Sequence, residues 1–261
     1  DIKKLFKARP GYKIVQCDLG TAEVYYAAML SGDQFLQKAF IDKLDFHSYV
    51  AKQMFNLSCE VNEVKKYYPN ERQYAKAITF GIMYQAGPAK IAETVNKDAK
   101  PGEEISTPQS KQFIQKYFNE ARSLKKFIDA SNQQIENHAF IYSFFGRKRR
   151  LPEAKSPNRG VAQHAIRSGV NFLVQSVASD INVLGVIDLV KWIERKGYTD
   201  DIKPFTVVHD SIVSEVREDL IDEYIENARK CIQTDRGLSI PGCPIKVDFE
   251  VGPSWGELTE L

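Results

Sequence analysis

Phe205-Thr206-Val207-Val208-His209-Asp210-Ser211-Ile212-Val213-Ser214-Glu215-Val216 sets two β-rich runs on either side of a polar pair. Apolar and β-branched residues flanking so short a break are the pattern of a hairpin, with His209 and Asp210 at or near its tip. A second β-rich run, Tyr12-Lys13-Ile14-Val15-Gln16-Cys17, leads into Asp18 and Gly20, after which Ala22 to Leu30 turns helical. This is a strand handing over to a helix, with Asp18 at the junction. Two aspartates therefore end β elements 192 residues apart in sequence, and a sheet can bring both to one edge.

Between these elements the signals are mostly helical: Gln34 to Phe40, Ser48 to Phe55, Glu71 to Tyr84, Pro88 to Val95 and a long run from Pro108 to Asn137, parted by Gly, Pro and Asn. Ile141-Tyr142-Ser143-Phe144-Phe145-Gly146 then reads as a hairpin or loop running into Arg147-Lys148-Arg149-Arg150. From Arg147 to Arg159 six basic residues face one acid, Glu153. A helix from Gln163 to about Arg195, the hairpin, a helix from Leu220 to Cys231 and a strand from Ile245 to Val251 complete the chain. The order predicts an α+β fold in which a sheet layer is interrupted by an inserted helical subdomain.

The 261 residues, 43% of them apolar, suffice for a large core and exclude a disordered tail. The net charge of +2 excludes a histone-like polycation, so any nucleic-acid contact must come from a local cluster. Four cysteines at positions 17, 59, 231 and 243 form neither a C-x-x-C pair nor a disulfide framework, which points to a reducing, intracellular (cytoplasmic) setting and leaves a viral, phage or organellar source open. The most apolar segment, Ile181 to Val190, is broken by Asn182 and Asp188, so no membrane partner is expected.

Carboxylates at two strand ends suit Mg²⁺, which takes oxygen ligands and commonly binds through one or two carboxylates plus substrate phosphates. Two such ions can activate an attacking oxygen and stabilise a leaving one. Taken singly, each aspartate reads as a cap or turn former; a second pattern gives the pair its weight. Arg72, Lys76, Phe80 and Tyr84 recur every four residues, on one helical stripe that drifts about 40° per step. Two cations followed by two rings can neutralise a polyphosphate and pack against a sugar or base. Gly81, costly in mid-helix, would let another group approach closely. Neither a P-loop nor a G-x-G-x-x-G turn is present, so a triphosphate site must be built otherwise.

Five segments in order, Asp18-Leu19-Gly20-Thr21-Ala22-Glu23, the Arg72 to Tyr84 stripe, Phe145-Gly146-Arg147-Lys148-Arg149-Arg150-Leu151-Pro152, the Arg167, Asn171, Gln175 series and Val208-His209-Asp210, resemble the motifs of family A DNA polymerases, the bacterial DNA polymerase I type. The resemblance implies a right-hand polymerase palm at 1–32 and 168–261, with helical fingers at 33–167. It implies template-directed addition of deoxynucleotides to a primer 3′ hydroxyl, with primer-template DNA and deoxynucleoside triphosphates as partners and two Mg²⁺ ions as cofactors. By the same resemblance Asp18, Asp210 and the carbonyl of Leu19 hold metal. Arg72 and Lys76 bind the triphosphate, and Lys76 also donates a proton to the leaving group. Phe80 and Tyr84 line the sugar and base pocket, His47 touches the triphosphate, and Glu23 excludes a ribose 2′ hydroxyl. Arg167, Asn171, Gln175 and His209 meet the primer-template minor groove, and Arg147 and Arg149 meet phosphates.

Three positions depart from that pattern. Ser211 stands where the family has Glu, Tyr25 where it has Arg, and Gln85 where it has Gly. A His-Asp-Ser order is also that of single-subunit RNA polymerases, so RNA synthesis and a non-catalytic DNA-binding module are the competing readings. Thumb and exonuclease segments are absent from this sequence, which implies either a longer chain or a second polypeptide carrying them.

Overall fold

The computed structural model describes residues 2–97, 99 and 102–261. They form two compact units: Asp1–Ala22 with Gln175–Leu261, and Glu23–Val174. The divisions fall at 22/23 and 174/175, so the helix after Asp18 and the first part of the long helix cluster with the helical unit.

The first unit is built on a five-stranded antiparallel sheet in the order β4-β5-β1-β6-β7: β1 Tyr12–Leu19, β4 Ile202–Val208, β5 Ser211–Arg217, β6 Val247–Gly252 and β7 Thr259–Glu260. The β4–β5 hairpin predicted from the alternating run is present, and its loop is the two residues His209 and Asp210, since Val208 pairs with Ser211. His209 has φ +55°, the left-handed sign that twist-matched two-residue hairpin turns require at their first position. Strand β4 starts earlier than its apolar run, at Ile202, and carries Pro204 beside a register shift; proline is tolerated there because β4 is an edge strand. Val15, Cys17, Leu19, Ile212, Ser214, Val216, Val247 and Phe249 are buried on one face. Against that face lies α10, Ile221–Ile232, whose buried Tyr224 hydroxyl meets Ser214 Oγ at 2.7 Å. The opposite face carries Asp18.

The helical unit contains α1 Ala22–Ser31 from Glu23 onward, α2 Gln34–Ile41, α3 Phe46–Phe55, α4 Val61–Tyr67, α5 Pro69–Met83, α6 Pro88–Asn96, α7 Thr107–Glu120, α8 Arg122–His138 and the hairpin β2 Phe140–Tyr142 with β3 Lys148–Arg150. The single run expected from Pro108 to Asn137 is two helices broken at Ala121. What starts the second of them is Asp33, a buried residue 2% exposed. Its Oδ1 accepts from Leu36 N at the start of α2, and its Oδ2 accepts from Ser123 N and Leu124 N at the start of α8. One carboxylate thus satisfies orphan donors of two helices. Tyr25, in the position where the family has Arg, is 2% exposed and packs edge-on to Tyr26 and Phe40, both at 5.3 Å.

Helix α9, Arg159–Lys196, runs from one unit into the other. By length and composition it could cross a membrane, but half of its most apolar window is buried in the protein, as in a core helix.

Candidate active site

Asp18 pairs in register with Ser211 on one side and Asp248 on the other, so the three side chains form a cross-strand row in the middle of the sheet. Asp210 directly precedes Ser211. The two aspartates therefore lie near one another, Asp18 toward the end of β1 and Asp210 in the turn that enters β5. Burial and the charges of Asp210, Asp248 and Glu250 push the Asp18 carboxyl above its ordinary range, against the opposing hydrogen bond that Ser211 Oγ donates to its Oδ1 at 2.8 Å. Ser211 thus steadies Asp18 from the position where the family places a third acid. Leu19 is buried beside it, and Gly20 N donates to Lys246 O at 2.9 Å.

Asp248 and Glu250 escaped the sequence reading, although alternation within Val247–Gly252 puts both on the Asp18 face. Asp248 pairs with Lys246 at 2.7 Å. Glu250 accepts from Gln16 Nε2 at 3.1 Å, while Gln16 Oε1 accepts from Trp255 Nε1 at 2.7 Å. Among the described residues no group of three or more His, Cys, Asp or Glu forms a complete metal cage. The two hard carboxylates, whose charges oppose each other at Asp18, are nonetheless a donor set that fits Mg²⁺, which usually completes its shell with water and phosphate.

In the helical unit, Arg72, Lys76 and Phe80 lie on α5, and Tyr84 caps its C-terminus. Arg72 forms a bidentate pair with Asp45, through Nε at 2.8 Å and Nη2 at 2.9 Å. This leaves the Nη1 hydrogens to another anion. Against the upward push of burial, the hydrogen bonds from Arg72 and Ser48 hold the Asp45 carboxyl far below its usual range. Lys76 is exposed and enters no ion pair among the described residues. Tyr84 donates to Glu23 Oε1 at 3.1 Å, which joins a first-turn acid of α1 to the end of the stripe.

The group that approaches Gly81 closely is a side chain of α6. A Cβ there would lie 2.5 Å from Ile91 Cγ1, so the glycine lets α6 pack closely on α5. Past Tyr84, Gln85 takes φ +51°, and a Schellman closure joins Ala86 N to Gly81 O and Gln85 N to Ile82 O. The family's Gly suits that conformation; Gln85 adopts it at a cost of about 1 kcal/mol.

His47 is 8% exposed, its ring 5.6 Å from that of Phe80, and its Nδ1 has no partner. Burial, aided by Arg72 and Lys76 and opposed by Asp45, lowers its pKa from 6.5 to about 4. The unfolded chain takes this proton near pH 6.5 and the folded one only near 4, so the stabilisation is complete above 6.5 and is lost as pH falls toward 4. Lowering the pH from 7 to 5 is expected to cost about 2 kcal/mol through this group. Urea titrations of wild type and His47→Leu at both pH values measure it; a parallel loss in the variant would clear His47 of the effect.

Arg167 and Asn171 are partly exposed on α9, one turn apart, and Gln175 one turn further is exposed, as is His209 on its turn. Arg149 is tied inward: its Nη2 donates to Ser168 Oγ at 2.6 Å and its guanidinium lies over Phe172 at 5.3 Å. Arg147 is exposed, 5.8 Å from the same ring.

A DNA polymerase from Escherichia phage T5 is 50% identical over 95% of this chain and 31% of its own length. DNA polymerase I of Pseudomonas aeruginosa is 28% identical over 98% of this chain and 26% of its own. The chain thus spans about a third or less of the curated relatives it matches. The solved POL domain of Pol1 from M. smegmatis, in complex with DNA primer-template and dNTP, superposes with a TM-score of 0.83 at 27% identity, covering 97% of this chain and 42% of that one. Residues 1–257 also match the model of DNA polymerase family A, so the chain belongs to DNA polymerase family A.

Proposed function

We propose that this chain is the catalytic palm and fingers portion of a template-directed DNA polymerase, part of a longer chain or of a split enzyme. The carrying observation is Asp18 held by Ser211 in register beside Asp210, within a chain of this family. In this reading Asp18, Asp210 and the Leu19 carbonyl hold Mg²⁺. Bound there, Mg²⁺ supplies Lewis acidity for attack by the primer 3′ hydroxyl and for departure of pyrophosphate. Arg72 offers its remaining donors to the triphosphate, Lys76 adds a second charge and stands as proton donor to the leaving group, and neutral His47 contributes a polar edge without charge. Phe80 and Tyr84 line the sugar and base pocket. Arg167, Asn171, Gln175 and His209 touch the minor groove, where geometry rather than sequence is sensed.

Primer extension with Mg²⁺, comparing wild type with Asp210→Ala and supplying the remaining polymerase segments, tests the assignment. Extension by wild type alone supports it; equal extension by both removes Asp210 from the chemistry. No extension by either favours the binding module.

Ser211 favours RNA synthesis as the second reading, and the Tyr84–Glu23 hydrogen bond speaks for deoxynucleotides by fixing a carboxylate where a 2′ hydroxyl would need room. Glu23→Ala is expected to raise the ratio of ribonucleotide to deoxynucleotide incorporation about tenfold or more. A wild-type preference for ribonucleotides would establish the RNA reading instead.

A further inference from the structure

The β2–β3 hairpin carries more chemistry than its arginines. Register pairs Phe140 with Arg150 and Tyr142 with Lys148 on one face, and Ile141 with Arg149 on the other. Ile141 is 3% exposed, so the Ile141 and Arg149 face turns inward. The outward face is a row of rings and cations. Phe140 and Tyr142 lie 5.5 Å apart, His138 adds a ring 5.8 Å from Phe140, and Lys148 Nζ sits 3.8 Å over Phe140 and 5.6 Å from Tyr142. The strands are joined by a turn in which Gly146 N donates to Ser143 O at 2.9 Å, with Gly146 at φ +80°. Phe144 and Phe145 occupy its two central positions, edge to face at 5.4 Å. Tyr142, Phe144 and Phe145 are 48%, 50% and 38% exposed.

Clustered exposed rings on a soluble surface mark a binding face. The cations beside them select a polyanion, and the rings select one whose bases are not already stacked. Duplex DNA offers phosphates but hides the faces of its bases; a single strand offers both, and aromatic platforms in a cationic groove are how single strands are held without sequence preference. We infer that the outward face of this hairpin binds unpaired nucleotides of single-stranded nucleic acid, the bases stacking on Tyr142 and Phe144 and the phosphates meeting Lys148 and Arg150. This deepens the polymerase reading by giving the unpaired template a seat, and rests on it for the partner.

The test uses fluorescence anisotropy of labelled oligothymidylate and of a blunt DNA duplex, without Mg²⁺ or nucleotide, so its failure is separable from failure of primer extension. Tyr142→Ala with Phe144→Ala is expected to weaken oligothymidylate binding about tenfold or more while leaving duplex binding within about twofold. Tyr142→Leu with Phe144→Leu keeps apolar bulk and is expected to weaken it similarly, whereas Tyr142→Phe binds as wild type. Lys148→Gln with Arg150→Gln is expected to lower the slope of log K against log salt by about 1.4 for the single strand. Unchanged oligothymidylate binding in either ring-deficient double variant overturns the inference, as does an equal loss for the blunt duplex, which would assign the face to duplex phosphates.

Discussion

Asp18→Asn is expected to lower primer extension by about a thousandfold or more while raising the thermal midpoint of the protein. The two effects share one cause. Asp18 is partly buried, and Asp210, Asp248 and Glu250 all raise the cost of its charge. Asparagine keeps an oxygen to accept from Ser211 and removes that charge, so the folded protein without bound cation gains stability. The same negative charge is what a divalent ion would bind, and loss of several kcal/mol of transition-state stabilisation corresponds to a thousandfold or more in rate. Extension rates and melting curves on the same preparations check both. Full activity would take Asp18 out of the chemistry, and a lowered midpoint would show that its charge serves the fold. A functional site that opposes stability is expected where charge is gathered for a ligand.

The largest expected effect on stability lies far from any reacting group. Asp33→Ala should destabilise the helical unit by about 3–7 kcal/mol: about 1 for the lost α2 cap, and about 1–3 for each of the two backbone donors of α8 left unpaired. Asp33→Asn should lie between, because an amide can accept at one site and must present its NH₂ group to donors at the other. Denaturant midpoints give the comparison. A loss below about 1 kcal/mol in the alanine variant would mean that water replaces the carboxylate at both helix ends. Asp33 also explains why the break between α7 and α8 is not legible in the sequence. The polar residue that starts α8 is 90 positions away in sequence, so no local signal at Ala121 marks the break.

Short-range order carried much of the reading. The β4–β5 hairpin follows from two apolar runs around a two-residue loop, and β1 with α1 follows from a β-branched run meeting a helical one at Gly20. Helix α4, Val61–Tyr67, was missed because its seven residues bury only Val64, too little for a periodic signal. The residues of the cationic stripe were legible from their spacing of four. That Asp45 grips Arg72 from 27 positions away was not, because an ion pair between α5 and the start of α3 depends on how those helices pack.

Sequence by itself determined most element types and pointed to residues suited to phosphate and metal chemistry, because periodicity and side-chain composition are local properties. Tertiary structure alone decided that Gly81 makes room for Ile91, that Ser211 serves Asp18 as a hydrogen-bond donor, that Asp248 and Glu250 share its face, and that Lys148 and Arg150, not Arg149, point outward from their hairpin. Each of these depends on strand register or helix packing between distant segments, which side-chain burial sets collectively and no short window of residues contains.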